Sequence, residues 1–292
     1  MPESEGLAVI DCHVHMLLDG AYYKTAIDAH RKHPDERIIR SCLAHYRDLG
    51  YTYVRDGGDR WGVGLRAAGL APEYGIRYVS PAFPIHKRGY YGGFIGEGFE
   101  TFREYEGLVK KVRRQGGTFI KIMISGIMDF DRFGTLSCPG LPGDLIRDMI
   151  HCAHDEGFSV MAHANGSDTV LAAVEAGVDS VEHGAYLHRE TVQALAEGKT
   201  VWVPTLSAIG NLLRGDRFDR TQVERILASS MENVALCAGL GGYIAPGSDA
   251  GAWSVFHGEG GREEEAWLRQ AIGDSADRVL ARGTAQLMQK FP

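Results

Sequence analysis

Eight short apolar segments alternate with helical segments along this chain of 292 residues, and that pattern predicts a single-domain (β/α)8 barrel. Two further observations support it. No linker, low-complexity tract or shift in composition divides residues 1–292. Metal-type polar residues also recur where the apolar segments end, the face on which such barrels carry their sites. An open doubly wound sheet is the competing reading, and it requires a glycine-rich phosphate fingerprint after the first strand. His13-Val14-His15 stands there instead.

The first strand is Val9-Ile10-Asp11-Cys12-His13-Val14-His15-Met16, apolar and β-branched at its start. Asp35 to Leu49 reads as a helix, with Ile38, Ile39, Cys42, Leu43 and Tyr46 at spacings of three and four, stopped by Gly50. Tyr51–Asp56 is the second strand, closed by Gly57-Gly58, and Trp61–Tyr74 the next helix. Arg77–Ala82 is the third strand. A glycine-rich, aromatic loop, Phe83–Gly98, and a charged helix, Phe99–Gln115, lead to the fourth, Thr118–Ile124. A second long loop reaches Pro142 before a helix over Gly143–Glu156. Phe158–His163, Asp179–His183, Val201–Leu206 and Gly242–Ala245 complete the strands. Helices Ser167–Ala176, Arg189–Ala196 and Thr221–Ala238 separate them, and Glu263–Ala271 and Ser275–Gln289 follow.

Composition narrows the partners. Hydrophobic residues make up 44% and charged residues 24%, enough for a large core, and the net charge is −7 without any basic run. Nucleic acid and anionic membrane are therefore poor partners, and a small-molecule substrate is expected. Cys12, Cys42, Cys138, Cys152 and Cys237 are odd in number and lack Cys-x-x-Cys spacing, which argues against a disulfide framework or thiolate zinc site. With an acidic Met1-Pro2-Glu3-Ser4-Glu5 start and no apolar run of spanning length, the expectation is a cytoplasmic protein.

The strand ends carry the chemistry. On a strand, His13 and His15 point to one face about 7 Å apart and can converge on a cation. By parity Cys12 faces the surrounding helices. His163, His183 and Asp249 follow the fifth, sixth and eighth strands. Lys121 lies inside Phe119-Ile120-Lys121-Ile122-Met123-Ile124, where an ammonium is costly unless paired or neutral. Desolvation favours the neutral amine, which can add carbon dioxide. The carbamate so formed can bridge two cations as a carboxylate does.

These residues resemble the amidohydrolase superfamily of metal-dependent hydrolases. The likeness rests on His13-Val14-His15, Lys121, Ala162-His163-Ala164-Asn165-Gly166, Glu182-His183-Gly184 and Ser248-Asp249-Ala250-Gly251. Tyr53-Val54-Arg55-Asp56-Gly57-Gly58 resembles the second-strand pattern of its imidazolonepropionase-like and dipeptidase-like branch. The resemblance implies one divalent metal on His13, His15 and Asp249, another on His163 and His183, and carboxylated Lys121 between them. Zinc is the expected metal, though His and carboxylate ligands also suit manganese, iron or cobalt. The implied reaction is hydrolysis of an amide by a hydroxide shared between the metals, with Asp249 as general base and then general acid. A mononuclear deaminase or lactonase on the same barrel, and a non-catalytic metal-stabilised binding protein, are the alternatives. Relatives in this branch carry a small β-sandwich before the first strand and after the last helix. Too few residues precede Val9 for it, so a bare barrel is expected, with room for a homo-oligomer.

Seven residues are candidates for substrate contact: His86, Arg88, Tyr90, Tyr91, Arg132, Tyr186 and His257. The loops Phe83–Gly98 and Gly126–Pro142 are expected to overhang the metals. Arg88 and Arg132 would then pair with a substrate carboxylate while the tyrosines pack an apolar side chain. A dipeptide or N-acyl amino acid fits that rim better than a lactone or nucleobase. His151 and His154, at helical spacing, are assigned to a solvated face.

Overall fold

A computed structural model describes residues 9–292; the segment Met1–Glu5 lies outside the described residues. The strands are β1 (Val9–Val14), β2 (Tyr51–Asp56), β3 (Arg77–Val79), β4 (Pro84–Lys87), β5 (Glu97–Phe99), β6 (Ile120–Met123), β7 (Val160–Ala164), β8 (Ser180–His183), β9 (Val201–Val203) and β10 (Tyr243–Ile244). All ladders are parallel, in the orders β1-β2-β3 and β10-β9-β8-β7-β6-β4-β5. Two seams join them into a (β/α)8 barrel. At one, the Cys12 amide donates to Pro246 O (2.9 Å), Asp249 N to His13 O (2.7 Å) and His15 N to Ala250 O (2.7 Å). At the other, a single barrel position is shared by β3 and β4. β3 pairs with β2, the chain breaks at Ser80–Phe83 with Ala82 at φ 67°, and β4 then pairs with β6.

The loop expected over Phe83–Gly98 is therefore corrected. It contains β4 and most of β5, which lies outside β4, and Phe99 belongs to β5 rather than to the helix that follows. Pro81 and Pro84 hide this strand from a sequence reading, because proline removes a ladder donor. That helix runs Phe102–Gln115, capped by Thr101, with Tyr105, Val109 and Val112 buried and Gly116 in the left-handed region at its end. An unexpected helix, Tyr23–His30, follows β1. Only Ala26, Ile27 and His30 are buried along its eight residues, too little periodicity to read.

The barrel interior has two layers. At its N-terminal end Ile10, Cys12, Tyr53, Phe119, Met161, Val203 and Phe291 form an apolar plug. Cys12 thus lies inside, not against the helices. The β1–β2 register slips between Asp11 and Val14, and the slip moves the inward set from Ile10 and Cys12 to His13 and His15. One pleat above the plug, β2, β6, β7 and β8 present Arg55, Lys121, His163 and Glu182, all buried. Among the described residues no helix is long and apolar enough to cross a membrane.

Candidate metal centre and active site

Three donor atoms stand in a nearly equilateral triangle. His13 Nε2 lies 3.4 Å from His15 Nε2 and 3.5 Å from Asp249 Oδ1, and His15 Nε2 lies 3.4 Å from the same oxygen. Ligands about 2.1 Å from one cation at the tetrahedral angle are about 3.4 Å apart. The triangle fits a metal without rearrangement. Asp249 is held at φ 61°, an uncommon backbone for aspartate, by its amide bond to His13 O. The adjacent Ser248 donates its amide (2.8 Å) and hydroxyl (2.6 Å) to Asp11, whose carboxyl is pushed up to about 6, chiefly by burial.

Gly57 makes room for His15. A Cβ there would sit 2.4 Å from His15 Cε1. Gly57→Ala is expected to fold, to tilt the His15 ring, and to lose about 10²-fold in turnover, the usual effect of roughly 1 Å misplacement. Metal titration of the purified variant checks the cause; unchanged affinity would reject it.

Behind the triangle is a buried ion network. His13 Nδ1 donates to Glu182 Oε2 at 2.7 Å, which turns Nε2 toward the centre. Glu182 also receives Arg55 Nη2 (2.9 and 3.0 Å) and the Ser180 hydroxyl (2.6 Å), while Arg55 Nε donates to Cys12 O (2.7 Å). The Arg55 guanidinium in turn lies 4.4 Å from the Phe291 ring centroid. Neither Arg55 nor Glu182 was assigned a role from sequence. The signal was there: opposite charges in two apolar strands, the same cue that singled out Lys121. Glu182→Gln, which keeps the shape and loses the charge, is expected to weaken metal binding about 10–100-fold. Competition with a chromophoric chelator measures this, and wild-type affinity would remove Glu182 from that role.

His163 and His183 face each other with ring centroids 4.6 Å apart, and His183 lies 5.1 Å from His13. His163 Nε2 donates to Gly126 O (3.2 Å), leaving Nδ1 for the centre. His183 bonds Thr205 Oγ1 through Nδ1 (2.7 Å), leaving Nε2. Both His183 and Thr205 have positive φ, 68° and 53°, so strain gathers at these strand ends. Burial, followed by the nearby Lys121, pushes His163 down to about 3. His13 and His183 are likewise held well below the ordinary histidine range, mainly by burial. Neutral imidazoles are the ligand-competent form. Lys121, 1% exposed, places Nζ among them without a hydrogen-bond partner in the described residues, and burial pulls its amine down to about 8.

Comparison with known proteins identifies the family. The amidohydrolase family model matches residues 8–250. The chain belongs to the amidohydrolase family. An uncharacterized protein of Mycobacterium tuberculosis is 29% identical over 198 residues, covering 65% of this chain and 51% of that protein. Ochratoxinase of Aspergillus niger is 27% identical over 234 residues, 68% of this chain and 47% of its own length. The chain thus spans about half the length of the curated relatives it matches. The A. niger ochratoxinase structure superposes with a TM-score of 0.79 at 21% identity, covering 97% of this chain and 71% of that one. A Xaa-Pro dipeptidase with bound methionine gives 0.77 at 22%, covering 97% and 75%. At these identities the likeness establishes the barrel.

A cavity of about 670 Å³ opens over the amidohydrolase residues, with His13, His15, Lys121, His163, His183 and Asp249 on its wall. That volume is in the range of sites for small organic ligands. Of the seven substrate-contact candidates, Tyr91 lines it, half-buried, its ring 4.9 Å from His163. The others are placed elsewhere. Arg88 is exposed and pairs with Glu104 (3.4 Å), and Arg132 is exposed outside the cavity wall. His86 is held beneath the 92–98 loop, bonding Lys87 O (3.0 Å). Tyr90 packs on the outer core and Tyr186 on Phe133 (5.3 Å). His257 is enclosed between Leu18 O (2.9 Å) and Tyr46 Oη (3.2 Å). β4 pairs with β5 at Lys87–Phe99, and the cations of this loop are taken up by carboxylates beside β5, Lys87 by Glu100 (3.1 Å) and Arg88 by Glu104. The wall is built instead from Tyr22, Tyr23, Lys24, Phe94, Phe130, Arg217, Phe218 and Trp253 among others.

Proposed function

We propose that this chain is a metal-dependent hydrolase that cleaves an amide bond in a small substrate, working with two divalent cations bridged by carboxylated Lys121. The observation that carries this reading is Lys121 Nζ, buried without a hydrogen-bond partner among the described residues, on the wall of the same cavity as a metal-shaped triangle of donors and two further histidines held neutral. His13, His15 and Asp249 would hold one cation and His163 and His183 the other. A carbamate on Lys121 would give both an anionic bridge and end the isolation of the buried amine. When bound, the metals supply a water of lowered pKa and polarise the scissile carbonyl.

The chain's own residues do the rest. Asp249, the one triangle member that can carry a proton on oxygen, takes the proton from the attacking water and returns it to the leaving nitrogen. Glu182 keeps His13 in one tautomer while this happens. Similarity to a Xaa-Pro dipeptidase supports an amide over an ester, and a dipeptide or N-acyl amino acid is the substrate class proposed. Zinc is the proposed metal.

Elemental analysis of protein purified without chelator should approach two metals per chain. A panel of dipeptides, N-acyl amino acids and lactones should show turnover on the amides. A value fixed at one metal after supplementation, or hydrolysis confined to lactones, would overturn the reading.

A further inference from the structure

The polar floor of the cavity is accounted for; its outer wall is not. Tyr22, Tyr23, Phe94, Phe218 and Trp253 line it, and Trp253 is 40% exposed. Exposed rings gathered on the rim of one cavity suit an apolar ligand. Three charged side chains interrupt the rings: Lys24, Asp129 and Arg217. Asp129 is engaged, its Oδ1 accepting from Asp131 N at 3.0 Å. Arg217 is different. Its guanidinium is held over the Trp253 ring, 4.1 Å from the centroid, and 5.3 Å from that of Phe218. Its neighbours Arg214 and Arg220 pair with Glu263 (2.5 Å) and Glu224 (2.9 Å). Arg217 itself has no carboxylate within ion-pair distance among the described residues. The wall is braced as well: Asn211 Nδ2 donates to Ser254 O (3.0 Å) and Ser254 N to Gly20 O (2.7 Å), joining the segments that follow β9, β10 and β1.

We propose that this wall is a specificity pocket for substrates that join a ring-bearing apolar group to a carboxylate, with Arg217 receiving the carboxylate. A stacked guanidinium is pre-organised to offer its fork to two oxygens, and the rings of the rim take the apolar body. The proposal deepens the amide-hydrolase reading by naming the substrate class. Its binding half stands apart from catalysis, because a ligand without a scissile bond would be held the same way.

The test uses 4-(2-naphthyl)-4-oxobutanoate, a ketone in place of an N-acyl amino acid's amide, and its primary carboxamide. Binding to the metal-loaded protein is followed by calorimetry for wild type, Arg217→Met, Arg217→Lys and Lys24→Met. Wild type should prefer the carboxylate, and Arg217→Met should weaken it about ten-fold or more while leaving the carboxamide unchanged. Arg217→Lys should fall between, because a lysine keeps the charge and loses the fork. Arg217 is exposed, so these variants should fold. Equal affinities for acid and carboxamide in wild type, or a loss that follows Lys24→Met instead, overturn the assignment. Arg217-dependent binding without hydrolysis of any amide would leave the pocket standing and remove the hydrolase reading. Amide turnover with no effect of Arg217→Met on binding would do the reverse.

Discussion

Lys121→Ala is expected to lose bound metal and amide turnover together. The other five side chains of the proposed ligand set are placed by features that do not depend on Lys121: the β1 slip, the Asp249–His13 amide bond, and the carbonyl and hydroxyl partners of His163 and His183. What the variant loses is the bridging charge. Two unit charges 4 Å apart at an effective dielectric of 20 repel by about 4 kcal/mol, and two dications by roughly four times that, so a bare pair is not retained. Short carboxylic acids added to the variant should restore part of the activity by occupying the vacated space as a bridge. Two retained metals with wild-type rates would reduce Lys121 to an ordinary barrel residue.

The metal-stripped protein gives an independent view of the same amine. Its folded pKa, about 8, lies below the ordinary lysine value of 10.5. Between those values the unfolded chain binds more protons, so stability rises with pH across that window, and the penalty is fully present below about 8. A shift of this size corresponds to about 3 kcal/mol. Urea titrations of the stripped wild type at pH 7.5 and 9.5 should show the rise, and Lys121→Met should not.

The strand ends were legible in the sequence because each candidate ligand follows its own strand by local rules. Period-two alternation turns His13 and His15 together, and a lysine inside an apolar run announces itself. The third barrel position was legible only as far as Arg77–Val79. Its second half, Pro84–Lys87, gains partners from β6, 37 residues further along at Pro84–Lys121, and nothing within the segment reveals that pairing. Glu182 and Arg55 were visible as buried charges. Their meaning depends on contact with His13 across 169 residues, which only closure of the barrel creates. The cavity wall was least legible. Arg88 and Arg217 are both arginines beside aromatic residues in long connections, but Glu104 draws one outward while Trp253 holds the other over the site. Loop trajectories of that kind follow from tertiary contacts, not local pattern.

Asp249→Asn is expected to keep much of its metal and to lose about 10²–10⁴-fold in kcat, the usual contribution of a positioned acid–base group. The substitution is nearly isosteric, and its backbone anchors are untouched: the amide bond to His13 O, and Ser248 pinned beneath it by Asp11. Asparagine can still present an oxygen to His13 and His15, so the triangle survives in shape with a neutral corner. What it cannot do is accept a proton and return it. The two consequences separate in a single experiment. Metal content is measured alongside kcat on amide substrates with good and poor leaving groups. A group that protonates the departing nitrogen matters most when that nitrogen leaves badly, so the defect should be larger on an alkyl amide than on a nitroanilide. A uniform loss that tracks metal content would make Asp249 a ligand alone, and near-normal turnover would exclude it from the proton transfer.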